Sequence, residues 1–394
     1  MSYQTSYKLP STRADNYNAE QVNGYLSQIH AENKNAGFGV CQYEHEATVG
    51  IYGYLGGVYS PTQNRIYMMP FGRSSSTTWH YIDCGTGAVV PYEVSALIVN
   101  AYVGGVYDPV YDRIYMCTFG QGVASTWHYI DCKTGQVTPY TALVVDSGAF
   151  VGASYSPKQG RIYFTPYASV PSWYYLDCTS TPSIGSYAAG SSLINPYFCS
   201  GYSPLQDRVY FVPFAIADED TWHYMDCATG TLQAYLHGVS AVDYAYNGMV
   251  YSPLQNRMYL IPYAQANLPQ WHYIDCSTGA VVAYTHGATA PANAYVSGCY
   301  SPVSNRIYMA PQAIGNQAQW HYIDCNTGAV VAYTHGTSSA TNAAYHGAVY
   351  SPTQNRVYFT PSGQGPETTW HYIQEYSSTK VSPTLMSGGT FNKF

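Results

Sequence analysis

Short apolar runs separated by turn-forming residues occupy most of this chain. Each run is rich in Tyr, Val, Ile, Met and Trp, and each ends at a cluster of Pro, Asn, Gly, Ser or Thr; residues 246–284 hold four such runs in succession. This is the composition of short β-strands joined by turns. Because both faces of each run are apolar, the runs predict sheets that are buried on both sides.

The four-run unit recurs seven times, with a period of 47–50 residues. An Arg opens the second run of each copy, and a Trp follows it 14 residues later in six copies and 12 residues later in the third. A period of this size indicates an array of units, because one unit cannot bury its apolar faces alone. Four strands per unit, arranged radially, make a propeller blade. The sequence therefore predicts an all-β fold over residues 47–383: a seven-bladed β-propeller of four-stranded antiparallel blades.

The unit resembles the YVTN-type propeller repeat, in which an inner strand ending in Ser-Pro leads to a Tyr-bearing strand, an Ile-Asp strand, a Thr-Gly turn and a Val-rich outer strand. The chain departs from that family at Gln63-Asn64, where Asp-Gly is usual, and in the Trp-His that precedes Tyr-Ile-Asp. The resemblance covers residues 54 to about 380 and implies the propeller fold, but it implies little about activity because one fold hosts many functions. The matching residues of the first copy are Val58, Tyr59, Ser60, Pro61, Arg65, Ile66, Tyr67, Ile82, Asp83, Thr86, Gly87, Ala88, Val89 and Val90.

The Arg that opens the second strand and the Asp that ends the third should lie at the same edge of each blade, because these strands are antiparallel neighbours. A planar guanidinium beside a carboxylate suits a fixed bidentate pair, and the Asp can also accept backbone N–H groups of the turn that follows it. Six copies spread around a ring cannot form one active site, so we interpret the pairs as structural. The seventh copy has Gln374-Glu375 in place of Asp-Cys. The pairs are Arg65/Asp83, Arg113/Asp131, Arg161/Asp177, Arg208/Asp226, Arg257/Asp275 and Arg306/Asp324.

Residues 1–46 lie outside the repeat and are predicted to form an arm. Val22, Tyr25, Leu26 and Ile29 fall at helical spacing and predict a short amphipathic helix over about 18–34. Two interpretations stay open: the helix folds back on its own disc, or the arm docks on a neighbouring subunit.

Two further segments flank the repeat. Residues 38–43 could add a strand to an outer blade edge. The repeat runs from inner to outer strand at both ends, so ring closure does not require a swapped strand, but the sequence leaves the mode of closure open. Residues 384–394 have the composition of a Gly/Ser-rich tail.

Charge is scarce in this chain. Only 9% of residues are charged, the net charge is −7, and seven of the fifteen basic residues are the repeated Arg. No basic stripe is left to follow a phosphate backbone, which argues against nucleic acid as a partner. No apolar stretch of membrane-spanning length occurs, and no apolar signal segment opens the sequence. We expect a protein made in a cytoplasm, with reduced cysteines, that is then able to join a virus particle or an extracellular structure.

Three sets of residues are candidates for chemistry. His recurs on the third strand in six copies and near the end of the fourth strand in three, but one His per blade cannot converge on a metal ion. Asp218, Glu219 and Asp220 are a weak candidate for a hard cation such as calcium, with a solvated acidic turn as the simpler interpretation. An aromatic residue enters each inner strand, where it either packs between blades or forms a stacking ring at the mouth of the central channel: Tyr54, Tyr102, Phe150, Tyr197, Tyr246, Tyr295 and Tyr345.

The blades are nearly uniform, and the sequence contains no recognisable catalytic constellation or cofactor motif. We therefore expect a non-catalytic structural or interaction propeller that joins a larger assembly, as a virus or phage particle protein or as a surface or appendage protein. Protein partners or self-association through the arm fit this role, and the 45 tyrosines suit contact surfaces. The alternatives are a glycan-binding propeller and a propeller enzyme with a site at the channel mouth. No cofactor is predicted.

Overall fold

Seven sheets arranged in a ring make up the protein. The computed structural model describes residues 37–168, 172–188, 195–336 and 340–376. Each sheet has four antiparallel strands, and the innermost strands of successive sheets contact each other in a closed ring. The prediction of an all-β, seven-bladed propeller is confirmed. The predicted arm helix and the tail at 384–394 lie outside the described residues.

The strand bounds repeat closely from blade to blade. The first three blades contain β2 (Tyr54–Ser60), β3 (Arg65–Pro70), β4 (Thr78–Asp83) and β5 (Val89–Glu93); β6 (Tyr102–Asp108), β7 (Arg113–Thr118), β8 (Thr126–Asp131) and β9 (Val137–Thr141); and β10 (Phe150–Ser156), β11 (Arg161–Pro166), β12 (Ser172–Asp177) and β13 (Ser183–Ala188). The next three contain β14 (Tyr197–Ser203), β15 (Arg208–Pro213), β16 (Thr221–Asp226) and β17 (Thr231–Leu236); β18 (Tyr246–Ser252), β19 (Arg257–Pro262), β20 (Gln270–Asp275) and β21 (Val281–Thr285); and β22 (Tyr295–Ser301), β23 (Arg306–Pro311), β24 (Gln319–Asp324) and β25 (Ala329–Thr334). The seventh blade contains β26 (Tyr345–Ser351), β27 (Arg356–Pro361), β28 (Thr369–Glu375) and β1 (Phe38–Glu44), and single 3-10 turns occur at Gly120–Val123 and Ala264–Asn267.

The disc has two chemically different faces. Within a blade, the end of the first strand pairs with the start of the second, and the end of the third strand lies at that same edge. We call the surface formed by the first-to-second and third-to-fourth strand connections the turn face. The opposite surface, formed by the second-to-third strand connections and by the links between blades, is the loop face.

The ring is closed by a strand from the beginning of the chain. β1 pairs antiparallel with β28, from Phe38 opposite Glu375 to Glu44 opposite Thr369, and is the outermost strand of the seventh blade. The prediction that residues 38–43 could add a strand to an outer blade edge is confirmed. This strand also closes the ring, a point that the sequence left open, so part of the segment assigned to the arm belongs to the propeller and supplies the fourth strand of this blade. The cause is that β28 ends in Gln374-Glu375, without the Asp-Cys pair that opens the outer hairpin in the six other blades.

The hydrophobic core lies between blades as much as within them. Every Trp is buried, with at most 2% exposed. The Trp127 ring contacts Phe164 of the next blade edge-on at 5.7 Å, and Trp320 contacts Phe359 in the same way at 5.7 Å. Each blade therefore covers apolar surface of its neighbour, which is why a single unit could not be stable alone.

The repeated Arg and Asp do not form the fixed pairs expected of them. Arg65 lies opposite Asp83 in the strand ladder, and the other five pairs have the same register. Among the described residues, however, only Arg161 and Asp177 of these pairs form an ion pair, at 2.7 Å. The Asp83 carboxylate instead accepts the backbone N–H groups of the turn, as also expected, from Gly85 at 2.8 Å.

The guanidinium groups have different partners. Each lies over the Tyr two residues before the Asp, with separations such as 4.3 Å for Arg113 over Tyr129. Arg113 also donates from Nη1 to the carbonyl oxygens of Thr179 and Ser180 in the next blade, at 3.2 and 3.3 Å. A planar cation stacked on an aromatic face is favourable, so each Arg packs on the third strand of its own blade, and Arg113 in addition links its blade to the next.

Candidate interaction site on the loop face

The aromatic residues that enter the inner strands are buried. All seven are 0% exposed, so they pack within the disc and cannot serve as a stacking platform for a ligand. Their partners are the third-strand histidines: Tyr54 Oη lies 2.8 Å from His80 Nδ1, and five other blades have the same bond. The third blade replaces both members, with Phe150 edge-on to Tyr174 at 5.6 Å. Two sets that looked independent in sequence are thus one buried pair, and burial lowers the pKa of His80 to about 4.

The second set of histidines also has a structural role. His237, His286 and His335 each stack on the Trp of their own blade, at 3.9, 3.9 and 4.1 Å. In the seventh blade, His45 takes this place and lies 3.8 Å from Trp370. The sequence around His45 signals this equivalence, since residues 40–45 read Val-Cys-Gln-Tyr-Glu-His and residues 281–286 read Val-Val-Ala-Tyr-Thr-His.

The channel mouth on the loop face is lined by residues that the sequence analysis missed. Five blades place an aromatic residue directly after the second strand, whereas the sixth and seventh have Gln312 and Ser362. The sequence contains a signal for these residues, since an aromatic residue follows the last residue of the second strand in five consecutive copies: Phe71, Phe119, Tyr167, Phe214 and Tyr263. Three of them, with residues from the inner strands, line a cavity of about 190 Å³: its lining is Leu55, Phe71, Val103, Phe119, Val151, Tyr167, Phe198 and His346.

None of the described residues that line this cavity carries a formal charge at neutral pH. Phe198 of the fourth blade and His346 of the seventh approach across the channel, with ring centroids 6.4 Å apart. Burial lowers the pKa of His346 to about 4, so its imidazole is neutral. Outside the lining, burial and, to a smaller extent, the Tyr52 phenol raise the pKa of Tyr263. The cavity can accept an uncharged apolar or aromatic group.

Exposed apolar side chains concentrate on the same face. Among the residues that the structure describes, twelve large hydrophobic residues are exposed, and nine of them lie in loop-face segments. Leu205, Leu236 and Tyr376 are the three others. The nine on the loop face are Ile51, Tyr52, Ile98, Val99, Val123, Leu143, Val144, Val242 and Tyr244.

Two of these residues have an unfavourable backbone conformation. Tyr52 and Tyr244 both have φ of 56°, in the left-handed region that bulky residues rarely adopt. The equivalent links between other blades have residues that tolerate this conformation better, such as Asn100 and Gly148. The two tyrosines are 49% and 44% exposed, so burial does not account for their presence there.

The charges of the two faces differ as well. In the described loop-face segments, Arg73 is the one basic residue. On the turn face, the seven repeated Arg, Lys133 and Lys158 lie among ten acidic residues. The exposed acidic residues of the loop-face segments are Glu46, Asp146, Asp218, Glu219, Asp220, Asp243 and Glu367.

The structure offers no support for a metal site at the acidic triplet. Among the described residues, no three His, Cys, Asp or Glu side chains converge where they could hold a metal ion, and Asp218, Glu219 and Asp220 are no exception. All three are exposed in the loop between β15 and β16. They contribute negative charge to the loop face.

Comparisons with known proteins support the fold alone. No protein-family model matches the chain, and no curated protein does. Among solved structures, a chain of Kuenenia stuttgartiensis hydrazine synthase is 12% identical, covers 85% of this chain and 98% of its own, and has a TM-score of 0.58. A chain of the mitotic checkpoint complex is 10% identical, covers 85% and 91%, and has a TM-score of 0.57.

A third similar structure is the extracellular domain of a one-component system from B. thetaiotaomicron. It is 9% identical, covers 89% of this chain and 42% of its own, and has a TM-score of 0.57. Identities this low show a shared propeller fold and nothing of activity. In the part of the chain that the structure describes, no helix is both long and apolar enough to cross a membrane.

Proposed function

We propose that this protein is a non-catalytic structural propeller that joins a larger assembly through its loop face. The observation that carries the proposal is the concentration of nine exposed large hydrophobic residues on that face, around an uncharged apolar cavity. Exposed apolar side chains that collect on one face of a protein often mark an interaction site. The strained tyrosines Tyr52 and Tyr244 support the proposal, because an unfavourable backbone conformation at an exposed aromatic residue points to a function outside the fold.

A virus or phage particle, or a surface or appendage structure, is the setting that we propose for this assembly. The supporting feature is composition: 45 tyrosines and 9% charged residues. Tyrosine gives large contact area at low entropic cost and is enriched in interfaces. Immunogold labelling of purified particles or cell surfaces would test the setting, and label confined to the soluble fraction would contradict it.

The assembly itself is tested by light scattering and negative-stain imaging of the full chain and of two variants. The first variant combines Tyr52→Asn, Val99→Ser and Val144→Ser on the loop face. The second, a matched control, combines Leu205→Ser and Tyr376→Ser, which both lie at the turn face. We expect full-length protein and control to form the same oligomer or lattice, and the loop-face variant to give single discs. A full-length protein that stays monomeric at high concentration, without any partner, would contradict self-assembly.

A glycan-binding propeller is the second candidate, and the channel-mouth cavity is the observation that favours it. Aromatic faces such as Phe71 and Phe119 around an uncharged cavity suit the apolar face of a sugar ring. A glycan array probed with the wild type and with Phe119→Ala tests this role. Binding that the substitution abolishes would support it, and an array without signal would remove it.

A further inference from the structure

The loop face needs a partner of a particular chemistry. Its described segments have seven exposed acidic residues and one basic residue, together with an apolar cavity of about 190 Å³. A buried apolar cavity of roughly 150 Å³ is large enough to bind benzene, so this one can receive a single aromatic or branched side chain. The complementary partner therefore carries positive charge close to an apolar anchor.

Residues 1–14 of the chain have that chemistry. They contain Lys8 and Arg13 and no acidic residue, and Lys8 stands between Tyr7 and Leu9. Tyr and Arg are the residue types that most often dominate binding energy in interfaces. Residues 377–394 are also basic, through Lys380 and Lys393, but they contain neither Tyr nor Arg.

The position of β1 determines whether this segment reaches the loop face of its own disc or that of a second disc. β1 begins at the turn face, since Phe38 pairs with Glu375, and ends at the loop face. The chain before Phe38 therefore leaves the disc on the side opposite its own loop face. A second disc stacked with its loop face on this turn face would meet the segment directly.

Charge also favours this arrangement over a symmetric one. If two loop faces were in contact, acidic residues such as Asp218 and Asp243 of one copy would lie against acidic residues of the other copy, and this like-charge contact is unfavourable. The turn face carries nearly balanced charge and does not repel a loop face. With the predicted helix over about 18–34 at roughly 1.5 Å per residue and the other six residues extended at roughly 3.3 Å, residues 15–37 reach up to about 45 Å, which allows the segment to pass from the rim of one disc towards the channel mouth of the next.

We propose that residues 1–14 of one copy dock on the loop face of the next copy, with an uncharged side chain of the segment in the channel mouth and Lys8 and Arg13 beside the acidic loops. This inference rests on the proposed function and names its partner as a second copy of the chain. The contact is head-to-tail, so it generates rings if the rotation closes and open stacks if it does not.

A synthetic peptide of residues 1–14 and a protein lacking residues 2–34, which keeps β1, test the proposal. We expect the labelled peptide to bind this protein in fluorescence anisotropy, and Lys8→Glu with Arg13→Glu in the peptide to weaken binding about tenfold or more. Replacing Asp218, Glu219 and Asp220 with Lys in the protein should then restore binding of the reversed peptide and weaken that of the natural one. Absence of peptide binding, or binding insensitive to both charge reversals, would overturn the proposal.

Light scattering on the full chain separates this proposal from the proposed function. We expect deletion of residues 2–14 to dissociate the assembly and deletion of residues 377–394 to leave it intact. If the assembly survives the first deletion but is lost in the loop-face variant, the proposed function is supported, and docking of residues 1–14 on the loop face is contradicted. Peptide binding to the truncated protein beside a full-length chain that is monomeric at every concentration would show docking within one copy and overturn the proposal.

Discussion

The turn face and the loop face of the disc are built from the same seven repeats, yet the residues of the turn face are nearly uniform from blade to blade and those of the loop face differ. On the turn face nearly every blade has the same Ser, Arg, Tyr and Asp; the Arg stacks on the Tyr, as Arg113 does on Tyr129, and the Asp bonds to its own turn, as Asp83 does. On the loop face the repeats diverge, and strained, apolar and acidic residues are exposed there. The residues that repeat in nearly every blade thus stabilise the ring, whereas the residues that differ between blades form a surface available to a partner.

The largest effect should follow removal of β1. A chain that begins at Ala47 loses the outer strand of the seventh blade, and with it the Phe38 ring, which lies 5.2–5.5 Å from Tyr308, Tyr322 and Tyr333. The exposed edge of β28 is also a template for aggregation. We expect this chain to lose several kcal/mol of stability and to aggregate, in thermal melts followed by circular dichroism. Deletion of residues 2–34 is the control and should leave the melting temperature unchanged; equal melts for both truncations would show that β1 does not stabilise the ring.

The next effect concerns the Arg that joins blades on the turn face. Replacing Arg113 with Ala removes the stacking on Tyr129 at 4.3 Å and the bonds to the carbonyl groups of Thr179 and Ser180. We expect a loss of about 1–2 kcal/mol in the free energy of unfolding in urea, and a smaller loss for Arg113→Lys, which keeps the charge without the planar group. Lys133→Ala, on the same face, should change stability by less than about 0.5 kcal/mol. An Arg113→Lys variant as stable as the wild type would mean that charge alone matters.

One departure from repetition on the turn face predicts a pH effect. Glu375 stands where six blades have a buried Cys, and it is 1% exposed. Its carboxylate accepts hydrogen bonds from Ser301, Ser304 and Tyr308 of the sixth blade, the last at 2.9 Å. Burial nevertheless raises the pKa of this carboxyl group above its ordinary value.

The sign follows from that direction. A raised pKa in the folded state means that the protonated form is favoured by folding, so this contribution to stability is full below the unfolded pKa and is lost as the pH rises through the folded pKa. We expect the melting temperature of the wild type to fall relative to that of Glu375→Gln as the pH rises from about 4 towards neutral. A constant difference between the two proteins across this range would show that ionisation of Glu375 does not couple to folding.

Much of the fold could be predicted because each repeat restates the same pattern of strands and turns. Residues 38–43 were predicted as a possible outer strand, but the mode of ring closure stayed open because Val40 to His45 resemble a fourth strand only when they are compared with the copy at residues 281–286. The bidentate Arg–Asp pairs were mispredicted because strand register brings Arg65 and Asp83 together without saying which partner each group prefers. The channel mouth was missed for a similar reason: alternation along a strand shows that Tyr54 and Leu55 point in opposite directions, but not which of the two faces the axis.

The smallest effect should be a gain in stability on the loop face. Asn occupies the position of Tyr52 in three other links between blades, at Asn100, Asn195 and Asn293, all with positive φ. Since Asn tolerates this conformation better than Tyr, we expect Tyr52→Asn to stabilise the isolated disc by roughly 0.5–1 kcal/mol, measured by urea unfolding at a concentration where the discs are separate. The same substitution should weaken assembly, because it removes an exposed aromatic ring beside the channel mouth. If the substitution lowers both stability and assembly, Tyr52 stabilises the fold. If it raises stability and weakens assembly, Tyr52 acts in binding the partner at the loop face.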